Sequence, residues 1–148
     1  MHLVLPRTAT DPQLGIAYCS AMGSAPRLSA TSGGVAAEDF VLVEWTAELG
    51  THWIAPLHVH RADDEAWYVL EGELGFRLGD EEVVADAGSV VVAPRGTPHT
   101  YWNAGDVEAR YLLVMTPRIG RLIKAIHDPG ADIPALFAAH DSEILPTG

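Results

Sequence analysis

The chain predicts an all-β fold, an antiparallel sandwich or barrel, followed by a short helical segment at its C-terminal end. Three observations predict it. Short runs rich in Val, Leu, Trp, Tyr and Phe recur between residues 40 and 115; Gly, Pro and Asp punctuate them; and the apolar spacing becomes helix-like only after Thr116. With 148 residues, 48% of them hydrophobic and 20% charged, the chain fits one domain with a core of its own. It divides into an N-terminal irregular or strand segment over 1–35, a β core over 36–116 and a helical tail over 117–148.

Taken in order, residues 1–35 carry Pro6, Pro12, Pro26, Gly15, Gly23, Gly33 and Gly34 among short apolar runs. They predict irregular structure with one or two short strands, one of them near 14–18. Residues 40–45 are β-branched and aromatic and run to a turn near Gly50, which predicts a strand. Residues 66–70 and 74–78 flank Glu71, Gly72 and Glu73, and predict a β-hairpin with the glycine in its tight turn. Gly79 and Asp80 turn the chain again; Val83, Val84 and Ala85 lead to Gly88; residues 89–92 form a further strand. Pro94, Arg95 and Gly96 break it before 97–102 resumes, and 111–115 completes the set. Beyond Thr116, Ile119, Leu122, Ile123 and Ile126 recur at helical spacing, so 117–127 predicts an amphipathic helix that begins with Pro117 and stops before Asp128, Pro129 and Gly130. A second, shorter helix is expected over 134–140, with Asp132 as its cap and Leu136 and Phe137 facing inward. Both helices should cover one mouth or edge of the β domain.

A formal net charge of −11 argues against a nucleic-acid partner, because phosphate binding needs clustered Lys and Arg. The single cysteine, Cys19, forms no intramolecular bridge and reads as a packing residue, so a reducing, cytoplasmic setting is expected. Residues 1–7 lack the pattern of an export signal, and no apolar run approaches the roughly eighteen residues of a membrane span. No Gly-x-Ser-x-Gly or Gly-x-Gly-x-x-Gly occurs, which leaves serine-hydrolase and dinucleotide-binding readings without support. His127 and His140 fall in the tail and read as surface residues, His140 beside Asp141 as a local polar pair.

The chemistry concentrates in two stretches. His58 and His60 stand two residues apart, so on a strand both imidazoles point to one face while Val59 points away. Glu65 follows five residues on and His99 comes from a distant segment, giving three nitrogen donors and one carboxylate able to converge on a divalent metal.

These stretches resemble the two motifs of the cupin superfamily. The first pattern runs Gly, five residues, His-x-His, three or four residues, Glu, six residues, Gly; here His58, His60, Glu65 and Gly72 match it. The second runs Gly, five residues, Pro-x-Gly, two residues, His, three residues, Asn; Gly88, Pro94, Gly96, His99 and Asn103 match at every fixed position. One departure is that Gly50 lies two residues further from His58 than the pattern has it, with His52 in its place, as a longer loop would produce. The chain also looks like the small single-domain cupins of quercetin-dioxygenase-like type. The resemblance implies a six-stranded, double-sheet antiparallel barrel of jelly-roll form. In it His58, His60, Glu65 and His99 would hold one divalent transition metal: Fe, Mn, Ni, Co, Cu or Zn. It further implies a homodimer, formed through a strand edge or an exchanged N-terminal segment.

Strand alternation puts Trp67 and Val69 on the face of Glu65, and Tyr101 and Asn103 on that of His99. With Phe76, Trp53 and Met115 they outline an apolar, aromatic substrate pocket, although Phe76 and Met115 read equally well as core. Asn103 reads as a turn stabiliser. With the resemblance implying a dioxygenase, the expectation is a metal-dependent enzyme of that type acting on a small enolic or phenolic molecule, with Glu65 as ligand or base. The alternatives are an isomerase, cyclase or lyase using the metal as a Lewis acid without O2, and a ligand-binding protein without catalysis.

Overall fold

The computed structural model describes residues 34–36, 38–50 and 52–147. The strand expected near 14–18, and Cys19, lie outside them. The described strands are β1 (Gly34–Ala36), β2 (Val41–Ala47), β3 (His58–His60), β4 (Glu65–Glu71), β5 (Glu73–Leu78), β6 (Glu81–Asp86), β7 (Val90–Ala93), β8 (His99–Asn103) and β9 (Ala109–Met115). Helices α1 (Pro117–Ile126) and α2 (Ile133–Ala139) and strand β10 (Ser142–Ile144) follow.

The strands form two antiparallel five-stranded sheets, ordered β1-β2-β9-β4-β7 and β10-β3-β8-β5-β6, packed face to face as a jelly roll. The six strands implied by the resemblance thus become ten among the described residues. Side-chain alternation builds the core: on β9 Ala109, Tyr111, Leu113 and Met115 are buried, and on β4 Glu65, Trp67 and Val69. Each large apolar side chain buried there stabilises the fold by about 1.5–3 kcal/mol.

The hairpin expected around Gly72 does not form. β4 pairs with β7 and β9, whereas β5 pairs with β6 and β8 in the other sheet. Gly72, at φ +73°, carries the chain from one sheet to the other, and a Cβ there would meet the Glu108 carbonyl oxygen at 2.8 Å. A turn signal records a change of direction; whether the flanking strands pair depends on partners far along the chain.

The helices follow their sequence signals. Thr116 caps α1 by accepting from the Ile119 N–H at 3.3 Å, Pro117 opens it, and Ile119 and Leu122 are buried. Asp132 caps α2 by accepting from Ala135, and Phe137 is its buried residue while Leu136 is half-buried. Both helices border the mouth of the barrel. The edge at β3 is closed instead by β10, a three-residue strand too short to show a period in the sequence.

Candidate metal centre

The four expected ligands come from both sheets. His58 and His60 lie on β3 and His99 on β8, with His58 directly opposite His99 in the ladder, while Glu65 opens β4 across the barrel. The loop of the second motif is built to hold this arrangement. Gly96, at φ +81°, donates its backbone N–H to the His60 carbonyl at 2.7 Å, and Arg95 grips Asp64 through its backbone N–H and its guanidinium Nε and Nη2. The two motifs are therefore pinned to each other just outside the site.

Hydrogen bonds fix the histidine tautomers. His58 donates from Nδ1 to the Pro56 carbonyl at 2.7 Å, and His99 from Nδ1 to the Thr97 carbonyl at 2.8 Å. His60 Nδ1 lies 2.7 Å from Ser142 Oγ, whose own proton goes to the His140 carbonyl, so Ser142 accepts from His60. All three Nε2 atoms then carry lone pairs, and they converge. His58 Nε2 and His60 Nε2 are 3.2 Å apart, and Glu65 Oε2 lies 3.1 Å from His99 Nε2 and 3.6 Å from His60 Nε2.

This donor set fits a metal ion. The four side chains are buried, with donor atoms all within 4.8 Å of one another. Lone pairs facing one another at such separations repel unless a cation or proton lies between them. A first-row metal holds N and O donors at about 2.0–2.2 Å, which sets neighbouring donors about 3.0–3.6 Å apart. The observed separations match. Mixed imidazole and carboxylate ligation suits several of the divalent transition metals and does not choose one.

Protonation states agree. Burial, followed by the neighbouring His99 and His60, pushes His58 down to about 3, so it is neutral and available as a ligand. For Glu65 burial acts in the raising direction, but in the ion-free site protons shared with His60 and His99 outweigh it and hold the carboxyl at about 2, and a cation taking the place of those protons would likewise keep it ionised. Burial raises Tyr101 well above its usual range, with Tyr111 adding to the effect and the Trp67 indole opposing it. Tyr111 is pushed up to about 12, mainly by burial. Both phenols are neutral donors at physiological pH.

A cavity of about 140 Å³ opens onto His58, His60 and Glu65. Ile54, Ala55 and Pro56 from the lead-in loop, Trp45, Tyr101 and Leu113 from the sheets, Leu122, Ile123, Ile126 and His127 from α1, and Phe137 from α2 line it. Of the six expected pocket residues, Tyr101 borders this space. Trp67, Val69 and Phe76 share the expected face but lie deeper, as core behind the site, with Trp67 packed 5.7 Å from His99 and Phe76 stacked on Tyr101 at 5.9 Å. Met115 is buried beneath a separate groove beside α1. Trp53 is 36% exposed and outside the cavity, because it sits in a loop with no strand register, and its neighbour Ile54 is drawn in by donating to the Tyr101 carbonyl. Alternation fixes a residue's face, not its depth.

Other placements differ too. His140 Nδ1 donates to the Leu136 carbonyl, and Asp141 pairs with Arg118 instead. His127 is exposed, as expected, yet stands at the cavity mouth. Asn103 holds the Ala47 and Val107 carbonyls and the Gly105 N–H, a structural role. Ser142 was not legible as a site residue, being 82 positions from the histidine it supports.

Fold and donor set agree with the comparisons: residues 45–115, just under half of the chain, match the family model described as Cupin domain. The chain is 31% identical over 74 residues to quercetin 2,3-dioxygenase of Bacillus subtilis, covering 50% of this chain and 22% of that protein. It is 33% identical over 60 residues to the tetracenomycin polyketide synthase protein TcmJ of Streptomyces glaucescens, covering 40% of each. The chain thus spans less than half the length of these curated relatives. Among solved structures, TT1209 from Thermus thermophilus is 30% identical with a TM-score of 0.52, over 58% of this chain and 80% of that one.

Proposed function

We propose that this protein is a metal-dependent cupin enzyme, a dioxygenase acting on a compact enolic or phenolic molecule. The observation that carries the reading is a small, largely apolar cavity ending on the lone-pair imidazoles of His58 and His60 and the ionised carboxylate of Glu65, with His99 behind them in the same donor set. The similarity to a quercetin dioxygenase supports the use of O2. Size narrows the substrate. A cavity of about 150 Å³ takes up a benzene-sized molecule, so 140 Å³ suits one ring or a short diketone, and a three-ring flavonol enters only if α1 and α2 move aside.

A divalent ion held by His58, His60, Glu65 and His99 supplies Lewis acidity, stabilising the anion of an enol or phenol at the cavity end. The chain's own groups do the rest. Apolar walls from Leu122, Ile123 and Phe137 exclude water and orient the substrate's carbon frame. Glu65, ionised at neutral pH, can swing off the ion and take the substrate's hydroxyl proton on its freed carboxylate. Turned away from His60 and His99 it loses the contacts that hold its pKa down, leaving burial to strengthen it as a base.

The similarity to a polyketide synthase protein favours a second reading, in which the same site rearranges or closes a poly-enolic substrate without O2. Protein reconstituted separately with each candidate metal should be incubated with acetylacetone, catechol and quercetin in an oxygen electrode. Metal-dependent O2 uptake matching substrate loss is expected; substrate loss without uptake supports the second reading; binding without turnover counts against both.

A further inference from the structure

Behind the candidate metal centre three donors crowd together with too few acceptors. Tyr101 and Tyr111 face each other across the barrel, their hydroxyl oxygens 3.0 Å apart, and among the described residues neither hydroxyl has another hydrogen-bond partner. A single hydroxyl–hydroxyl bond uses one of their two protons. Trp67, its ring 5.4 Å from that of Tyr101, aims its buried indole N–H at the Tyr101 oxygen without completing a hydrogen bond among the described residues. Even with that N–H placed on Tyr101, the cluster carries at least one proton more than it can place. An unplaced buried donor is costly, and such groups find a partner whenever one is within reach.

Position decides where that partner sits. Tyr111 is fully buried and does not border the cavity, whereas Tyr101 lines it. When Tyr111 donates to Tyr101, the Tyr101 proton is released toward the cavity. Tyr101 also lies two residues along β8 from His99 and on the same face, so it looks onto the space next to the metal ligands. Trp45, Ile54 and Leu113 in the cavity wall offer no competing acceptor side chain, and the carboxylate of Glu65, which also lines the cavity, is turned to His60 and His99.

We infer that Tyr101 is a second polar anchor for the cavity's ligand, donating a hydrogen bond to an oxygen of the substrate other than the one held at the metal, with Tyr111 as the positioning residue that aims it. The ligand class is thereby a compact molecule with two oxygens, one ionisable as an enol or phenol and one a carbonyl-type acceptor. The inference rests on the metal-site reading above.

Calorimetry on zinc-loaded protein tests it, with 3- and 4-hydroxybenzaldehyde as probes against 3- and 4-methylphenol, which keep the ring and phenol but lose the carbonyl. At least one aldehyde should bind about tenfold tighter than its methyl counterpart, the scale of one well-formed hydrogen bond. Tyr101→Phe should abolish that preference, and Tyr111→Phe should reduce it. The infrared carbonyl stretch of the bound aldehyde, read on the unmodified protein, should move to lower wavenumber relative to the aldehyde in hexane. An unshifted stretch, no aldehyde preference, or a preference that survives Tyr101→Phe overturns the inference. Phenol binding that persists after chelation overturns the metal-site reading instead, and absence of all probe binding counts against both.

Discussion

Each of the three histidines places its Nδ1 proton on a different acceptor, and Ser142 is the one among them that is a side chain. Ser142→Ala leaves the His60 N–H buried without an acceptor, frees its ring to rotate and admits the wrong tautomer. Metal affinity measured by chelator competition should fall about 10–100-fold, with Ser142→Thr restoring most of it. His58→Ala removes a ligand directly, and elemental analysis of the variant should show loss of the bound ion. Acid should undo the metal-free protein in a defined window. His58 has a folded pKa of about 3 against 6.5 when unfolded, so below 6.5 the unfolded chain binds a proton the folded one refuses, and stability falls. Glu65, at about 2 against 4.5, adds a second such proton below 4.5. Urea melts in chelator should show stability present above pH 6.5 and falling by up to about 1.4 kcal/mol per pH unit per proton below it, more steeply below 4.5.

At the scale of elements, two features place the site: the corner at Gly72 and the lid made by α1. Gly72→Ala combines a positive φ with a clash against the Glu108 carbonyl oxygen at 2.8 Å and Ala109 Cα at 2.9 Å, both backbone atoms that have little room to move. A loss of about 1–3 kcal/mol in denaturant melts is expected. Leu122, 1% exposed, projects from α1 into the cavity wall. Leu122→Ala should cost about 2–5 kcal/mol and enlarge the space over the ligands. Two-ring phenols that bind the parent protein poorly should then bind more tightly, which ligand titration would reveal. Arg118 holds the other end of this lid in place, lying beside the buried Asp63 and pairing with Asp141 just before β10. Helix, first-motif loop and closing strand thus meet at one point.

For the whole molecule, the centre lies between the two sheets, with three donors on one and Glu65 on the other. A bound ion would tie the sheets together, so occupancy should raise global stability and not only local order. At metal concentrations a hundredfold above the dissociation constant the gain is about 2.7 kcal/mol. Thermal melts should therefore shift upward by several degrees on adding metal and return on chelation, and Glu65→Ala should abolish most of the shift. Among the described residues no helix is long and apolar enough to cross a membrane.

The sequence by itself determined the strand-rich class, the two helices with the Asp132 cap, and the four residues of the candidate metal cluster, because each depends on spacing along the chain. Two residues between histidines mean one face of a strand, and a Pro-x-Gly turn followed by His99 needs no distant partner to be read. Only the tertiary structure decided which strands pair across Gly72, that β10 closes the edge beside His60, and that Tyr101 borders the cavity while Trp67 and Phe76 lie behind it. Those are questions of pairing and depth. Local patterns specify which way a side chain points, whereas its neighbours come from segments up to 82 residues away, brought together by burial of the whole core.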